Sequence, residues 1–287
     1  MSVIKETIKF EELKVHRAVS DDGTEIAGRV IGKGPALLFL PAGPGDSETC
    51  WRHVLPYISD RFTCYLVNNR NRGLSGKSEA VSLKLLAEDV MAFAKSIGGP
   101  VGLVSWGPFL FVDAVVKQGP VAAVAVYEPI VFAIAEEEEA KRQNEMFGQM
   151  GELASGGKFS EAAQLFLENN GAYNDEDMAD GAPRAFWEES APNIPVFLQE
   201  LNQAFQPKQP DPTAPSMLRE IKVPFLLLKG EQSKPFFIES VHHYSEHLAN
   251  SDVRQIDNAG HFGPYIQPEA VAGELAAFFE NVLERKE

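Results

Sequence analysis

The sequence predicts a doubly wound, mostly parallel α/β sheet interrupted by a helical insertion, and three observations carry that prediction. Continuously apolar runs such as Ala36 to Leu40 and Val121 to Tyr127 have the composition of strands covered on both faces. Helix-period stretches such as SLKLLAEDVMAFAKSI separate several of these runs, as the crossovers of a parallel sheet require. Between about Pro129 and Val223 the strand signals stop, and the chain reads as helices alone.

The elements follow in order. KFEELKVHRAV and TEIAGRVI flank Asp21-Asp22-Gly23-Thr24, a turn signal, and predict an opening antiparallel hairpin. Ala36 to Leu40 predicts a central strand that ends in the glycine-rich PAGPG. Buried strands are expected at Thr63 to Val67, Val101 to Val104, Val121 to Tyr127 and Pro224 to Leu228. The insertion contains EEEEAKRQNEMFGQMGELAS, FSEAAQLFLENN and PNIPVFLQELNQAF, and closes on a proline-rich connector from Gln206 to Pro215 that cannot be helical throughout. One more strand, a loop around His261 and an amphipathic helix with Val271, Leu275, Phe278, Phe279 and Leu283 on one face end the chain. The organisation is a core of residues 1–129 and 216–287 with an insertion at 130–215. No internal repeat is visible.

Composition narrows the function. The chain has 287 residues, 44% hydrophobic and 23% charged, which suits one large globular domain. The net charge of −15 disfavours nucleic acid and anionic membranes, since phosphate binding needs clustered Lys and Arg, and leaves a small hydrophobic molecule as the expected partner. No apolar run is long enough for a membrane span, and the N-terminus lacks a secretory pattern, so a cytoplasmic protein is expected. Cys50 and Cys64 belong to no Cys/His cluster and read as reduced, structural thiols. His242, His243 and His247 have helical spacing but no evident further ligand, so neither a metal nor a cofactor is expected. Glu136 to Glu139 reads as a solvated helix face, and oligomeric state is left open.

In an open α/β sheet, ligands bind beyond the carboxyl ends of the strands. Four residues stand there: Gly43 after the strand at 36–40, Ser105 after 101–104, Glu128 after 121–127, and His261 near the end of the chain. With these in place the chain resembles the α/β-hydrolase fold over nearly its whole length, with residues 130–215 as a helical lid. The resemblance rests on FLPAGPGDS, VNNRNRGLSGKS, PFLLLKGEQS and DNAGHFGPYIQPEAVAGELAAFF. It implies that His261 is the catalytic base and that Gly43 belongs to the oxyanion loop. The place where the family often carries its acid holds Gly230-Glu231-Gln232-Ser233, and Ser233 is no carboxylate. A second arrangement, similar to that of some dehalogenases, implies Glu128 as the acid that orients His261.

The elbow has two registers. In the first, Ser105 is the nucleophile, Trp106 offers an oxyanion N–H, Gly107 is suitably small, and Leu103 is crowded. In the second, Gly107 takes the nucleophile position and Pro108, which has no N–H, follows it. The first register implies a cofactor-independent hydrolase of a small hydrophobic ester, lactone or related acyl compound, with a Ser105-His261-Glu128 triad and Gly43 and Trp106 as oxyanion donors. The second implies an enzyme without a nucleophile (lyase, isomerase or oxygenase-like) with His261 as general base, or a small-ligand-binding protein. Aromatics are concentrated in the insertion and at the strand ends (Trp106, Phe109, Phe111, Phe186, Trp187, Phe197, Phe205, Phe236, Phe237, Phe262 and Tyr265); most read as core, and a subset lining the cleft between sheet and insertion would make an apolar pocket suited to a hydrophobic or aromatic substrate. Arg70 and Arg72 are assigned to structure.

Overall fold

The computed structural model describes residues 8–107, 112–170, 182–204 and 211–283. Pro108, Phe109, Phe111, Phe205 and residues 206–210 of the connector lie outside the described residues. Eight strands form one sheet in the order β1-β2-β4-β3-β5-β6-β7-β8. They are β1 (Lys14–Val19), β2 (Glu25–Gly32), β3 (Ala36–Phe39), β4 (Thr63–Val67), β5 (Val101–Trp106), β6 (Val121–Tyr127), β7 (Phe225–Gly230) and β8 (Ser251–Ile256). β1 and β2 pair antiparallel, as the hairpin signal predicts, and β2 also runs antiparallel to β4; the pairs from β4 through β8 are parallel. Phe10–Glu12 forms a 3-10 turn rather than the start of the first strand.

β5 and β6 are buried along their whole length, which is why their sequences carry no polar alternation. Their side chains still alternate between the two faces. Val104 and Trp106 pack with Phe39, Tyr127 and Phe262 on one face, whereas Val101 and Leu103 pack with Val90, Phe93 and Val115 on the other. β5 also runs further than its apolar stretch suggests. Ser105 and Trp106 pair with Val126 and Tyr127, and the Gly107 N–H donates to the Tyr127 carbonyl at 2.9 Å, so the turn begins at Gly107.

Between β6 and β7 the described chain is helical: α1 (Glu137–Ser155), α2 (Phe159–Asn170), α3 (Ala182–Ser190) and α4 (Ile194–Ala204). Apolar residues of this insertion, including Met146, Leu167, Phe186 and Phe197, join the same cluster as Trp106 and Phe262. The insertion therefore packs against the carboxyl ends of the strands, where a ligand is expected. No helix among the described residues is long and apolar enough to cross a membrane.

Candidate active site

Glu128 follows β6 with a φ of 47°, one of three described non-glycine residues in the left-handed region. A carboxylate side chain tolerates such backbone at a cost, and residues held this way cluster at functional sites. The turn is held by the Glu128 N–H donating to the Leu228 carbonyl at 2.8 Å. The side chain is fully buried. Its Oε1 accepts from the Gly230 N–H at 2.8 Å and from the Ser233 hydroxyl, and its Oε2 lies 2.7 Å from His261 Nδ1. Ser233, which cannot replace the acid, instead supports it.

A buried carboxylate can only accept, so Nδ1 carries the hydrogen and Nε2 of the neutral ring keeps its lone pair. The imidazole stacks on Phe237 with centroids 4.0 Å apart and an interplanar angle of 8°. The loop that carries it is tied down by Trp106 Nε1, which donates to the His261 carbonyl at 2.9 Å, and by the Tyr127 hydroxyl, which donates to the Gly260 carbonyl at 2.6 Å. Burial and the nearby Glu128 charge push the Tyr127 phenol well above its ordinary range, so it stays a neutral donor.

Across from this ring stands Gly107 (φ 77°). A Cβ at that position would lie 4.0 Å from His261 Nε2 and 3.9 Å from Ile130 Cδ1, in open contact with both. Gly107 therefore stands beside the base at the start of the turn, and it carries no nucleophilic atom. Ser105 does not meet His261. It sits within β5 on the Leu103 side of the sheet, is 1% exposed, and is absent from the cavity wall that Trp106, Gly107 and His261 share. The first register is corrected by strand alternation: Ser105 and Trp106 point to opposite faces, and Trp106 is the one on the His261 side. Trp106 is correspondingly a strand residue whose indole walls the cavity and anchors the histidine loop, not the first residue of the turn. The residue that follows Gly107 in the sequence is Pro108, which has no N–H to offer an oxyanion.

The cavity between sheet and insertion is lined by Gly43, Trp106, Gly107, Ile130, Phe166, Phe186, Phe197 and His261, with other mostly apolar side chains. It leaves about 30 Å³ of room for water-sized molecules. Gly43 (φ 47°) reaches this wall from the PAGPG loop. Arg72, 1% exposed, holds that loop: its Nη1 donates to the carbonyls of Gly43 at 2.7 Å and Gly45 at 2.8 Å. Its Nη2 donates to Glu200 of α4, which also accepts from Asn69 Nδ2 at 3.2 Å. Burial raises the Glu200 carboxyl, and Arg72 opposes the shift. Arg72 thus links the glycine loop to the insertion, a tie with no local signature in the sequence. Cys50, free and buried, accepts from the Ala42 N–H of the same loop at 3.2 Å, and burial pushes its thiol up to about 12. Away from the cavity, His243 Nε2 is 2.8 Å from the Thr213 carbonyl.

The sequence matches the model of the "Alpha/beta hydrolase family" over residues 37–274. No curated protein sequence matches it. Similar solved structures include an esterase from Rhodococcus sp. ECU1013, with 22% identity, a TM-score of 0.74, and coverage of 93% of this chain and 99% of that one. An esterase from Exiguobacterium antarcticum shares 14% identity at a TM-score of 0.74, covering 92% of this chain and 98% of that one. A haloalkane dehalogenase loop variant from Bradyrhizobium elkanii shares 21% identity at a TM-score of 0.66, covering 96% and 98%. These likenesses are likenesses of fold. With the sheet order, the assembled His261–Glu128 pair and the family match over most of its length, the chain belongs to the alpha/beta hydrolase family, as a hydrolase-type enzyme whose reaction class is left open.

Proposed function

We propose that the protein hydrolyses a small hydrophobic ester, lactone or related acyl compound without a covalent intermediate and without a cofactor, using His261 as a general base on water. The observation that carries this reading is the 4.0 Å separation between His261 Nε2 and a Cβ position at Gly107 that bears no side chain. Where a nucleophilic hydroxyl would stand in the triad arrangement, a water molecule can take the same hydrogen bond. His261 Nε2 removes a proton from that water as it attacks the acyl carbon. Glu128, 2.7 Å from Nδ1, stabilises the imidazolium, and the face of Phe237 adds a favourable cation–π contact. The proton then passes to the leaving group. The Gly43 N–H is the remaining main-chain candidate for the developing oxyanion, held in place through Arg72.

The test is a pre-steady-state time course with p-nitrophenyl acetate and a panel of small lactones. Turnover without a burst of p-nitrophenol, abolished in His261→Ala, is the expected result. A burst equal to the enzyme concentration with acylated Ser105 would overturn the reading.

A second reading uses the same base on an acidic proton of the substrate itself, as in a lyase or isomerase. Pro108 favours it, because the lost N–H weakens acyl-oxyanion stabilisation but leaves proton abstraction untouched. Solvent deuterium incorporation into substrate or product, dependent on His261, would select it over hydrolysis.

A further inference from the structure

Apart from His261, two hydrogen-bonding amides reach this otherwise apolar cavity wall among the described residues, Gln143 of α1 and Asn170 of α2. Each is 4% exposed. Gln143 Nε2 donates to Glu139 Oε1 at 2.8 Å and to Asn170 Oδ1 at 3.0 Å. Glu139 is in turn held by Arg142, whose Nε donates to its Oε2 at 2.8 Å. A carboxylate accepts only, so this chain fixes which end of the Gln143 amide is nitrogen. Asn170 is satisfied as well, with Nδ2 donating to the Phe166 carbonyl at 3.2 Å. Gln143 Oε1 is different. It is buried and, among the described residues, has no hydrogen-bond partner.

A buried acceptor without a donor costs free energy, and such groups are few in folded proteins. Here the orphan belongs to a side chain that is locked by its own amide nitrogen and lines the reaction cavity. We propose that Gln143 is a substrate-recognition residue, and that the substrate is a small aromatic or alicyclic molecule with a hydroxyl or N–H donor that Gln143 Oε1 accepts. The proposal rests on the reading of this cavity as the substrate site. Aromatic walls such as Phe166 and Phe186 take the ring, Gln143 fixes one end, and the reacting group is left toward His261. Sites built to bond a donor discriminate strongly against the analogue that lacks it, since the protein acceptor is then left unpaired.

Phenol and toluene, alike in size and different in the donor, test this without any turnover. Their Kd values are measured by titration calorimetry for wild type, Gln143→Met and His261→Ala. The ratio of the toluene Kd to the phenol Kd falls about tenfold in Gln143→Met, while the toluene Kd itself changes by less than about twofold. An unchanged ratio, or no phenol binding to wild type, overturns the proposal. If Gln143→Met does not fold, the side-chain amide signal of Gln143 in the wild-type ¹H–¹⁵N spectrum decides. It shifts with phenol and not with toluene if the assignment holds, and responds alike to both if it does not. His261→Ala keeps the phenol preference, so a failure of the general-base reading is distinguishable from a failure of this one.

Discussion

On one side of the cavity, the ring and the carbonyl of His261 are both held, by Glu128, Phe237 and Trp106. On the other side Gly107 presents backbone alone, and the next residue in the sequence is a proline, without an N–H. The two sides would normally act as one unit, the base serving the nucleophile. Their difference teaches that the His261–Glu128 pair is held by its own contacts, without any side chain at Gly107. A buried Glu128 in strained backbone, satisfied by Gly230 and Ser233, is costly to maintain for packing alone. In the function proposed above, the base side is the part of the site that does chemistry, and Gly107 serves as wall.

That contrast can be broken most forcefully from the base side. His261→Ala removes the general base and is expected to lower kcat by about 10² to 10⁴. Equal activity in the variant would dissolve the distinction between the two sides. Glu128→Gln keeps the shape but can turn an NH₂ toward Nδ1, which favours the wrong tautomer; kcat should fall by about tenfold to a thousandfold, measured against His261→Ala under the same conditions.

A smaller effect is expected where the glycine loop meets the insertion. Glu200→Gln leaves Arg72 nearly buried without a full counter-charge and should reduce stability by about 1 to 3 kcal/mol. It should raise KM more than it lowers kcat, because the Gly43 loop loses its fixed tether while the base pair is untouched. A kcat loss as large as that of His261→Ala would show that the two sides are not separable.

The smallest effect belongs to a pair remote from both. Hydrogen bonding from Arg70, 2.7 Å away, is the main reason that the Asp22 carboxyl is lowered from 3.8 to about 2. A depressed carboxylate stabilises the fold above its ordinary pKa, and that contribution is lost as pH falls from 3.8 toward 2. Acid unfolding of Asp22→Asn should therefore be flatter in that window, with activity at neutral pH unchanged.

Much of this was legible in the sequence because it depends on local patterns. The strands were visible as apolar runs, the first hairpin as Asp-Asp-Gly, and Glu128 and His261 as polar residues at strand ends where ligands bind. The elbow was not, because Val101 to Val104 looks like a complete strand, whereas pairing with β6 carries it on through Trp106. Two further residues of strand turn Ser105 to the opposite face from the base and bring Gly107 beside it. Ser233 stands where an acid is expected, and a hydroxyl supporting an acid 105 positions earlier in the sequence has no local signature. Gln143 was hidden for a similar reason. It lies one helical turn beyond Glu139, at the end of an acidic run whose first three members are exposed, and only the packing of α1 against α2 turns it inward.

The central claim is that the base works without a nucleophile, and fluorophosphonate labelling followed by peptide mapping tests it most directly. Wild type is expected to remain unlabelled, while Gly107→Ser, which places a hydroxyl beside His261 Nε2 in the strained turn, is labelled at residue 107. Labelling of Ser105 in the wild-type protein would contradict the account.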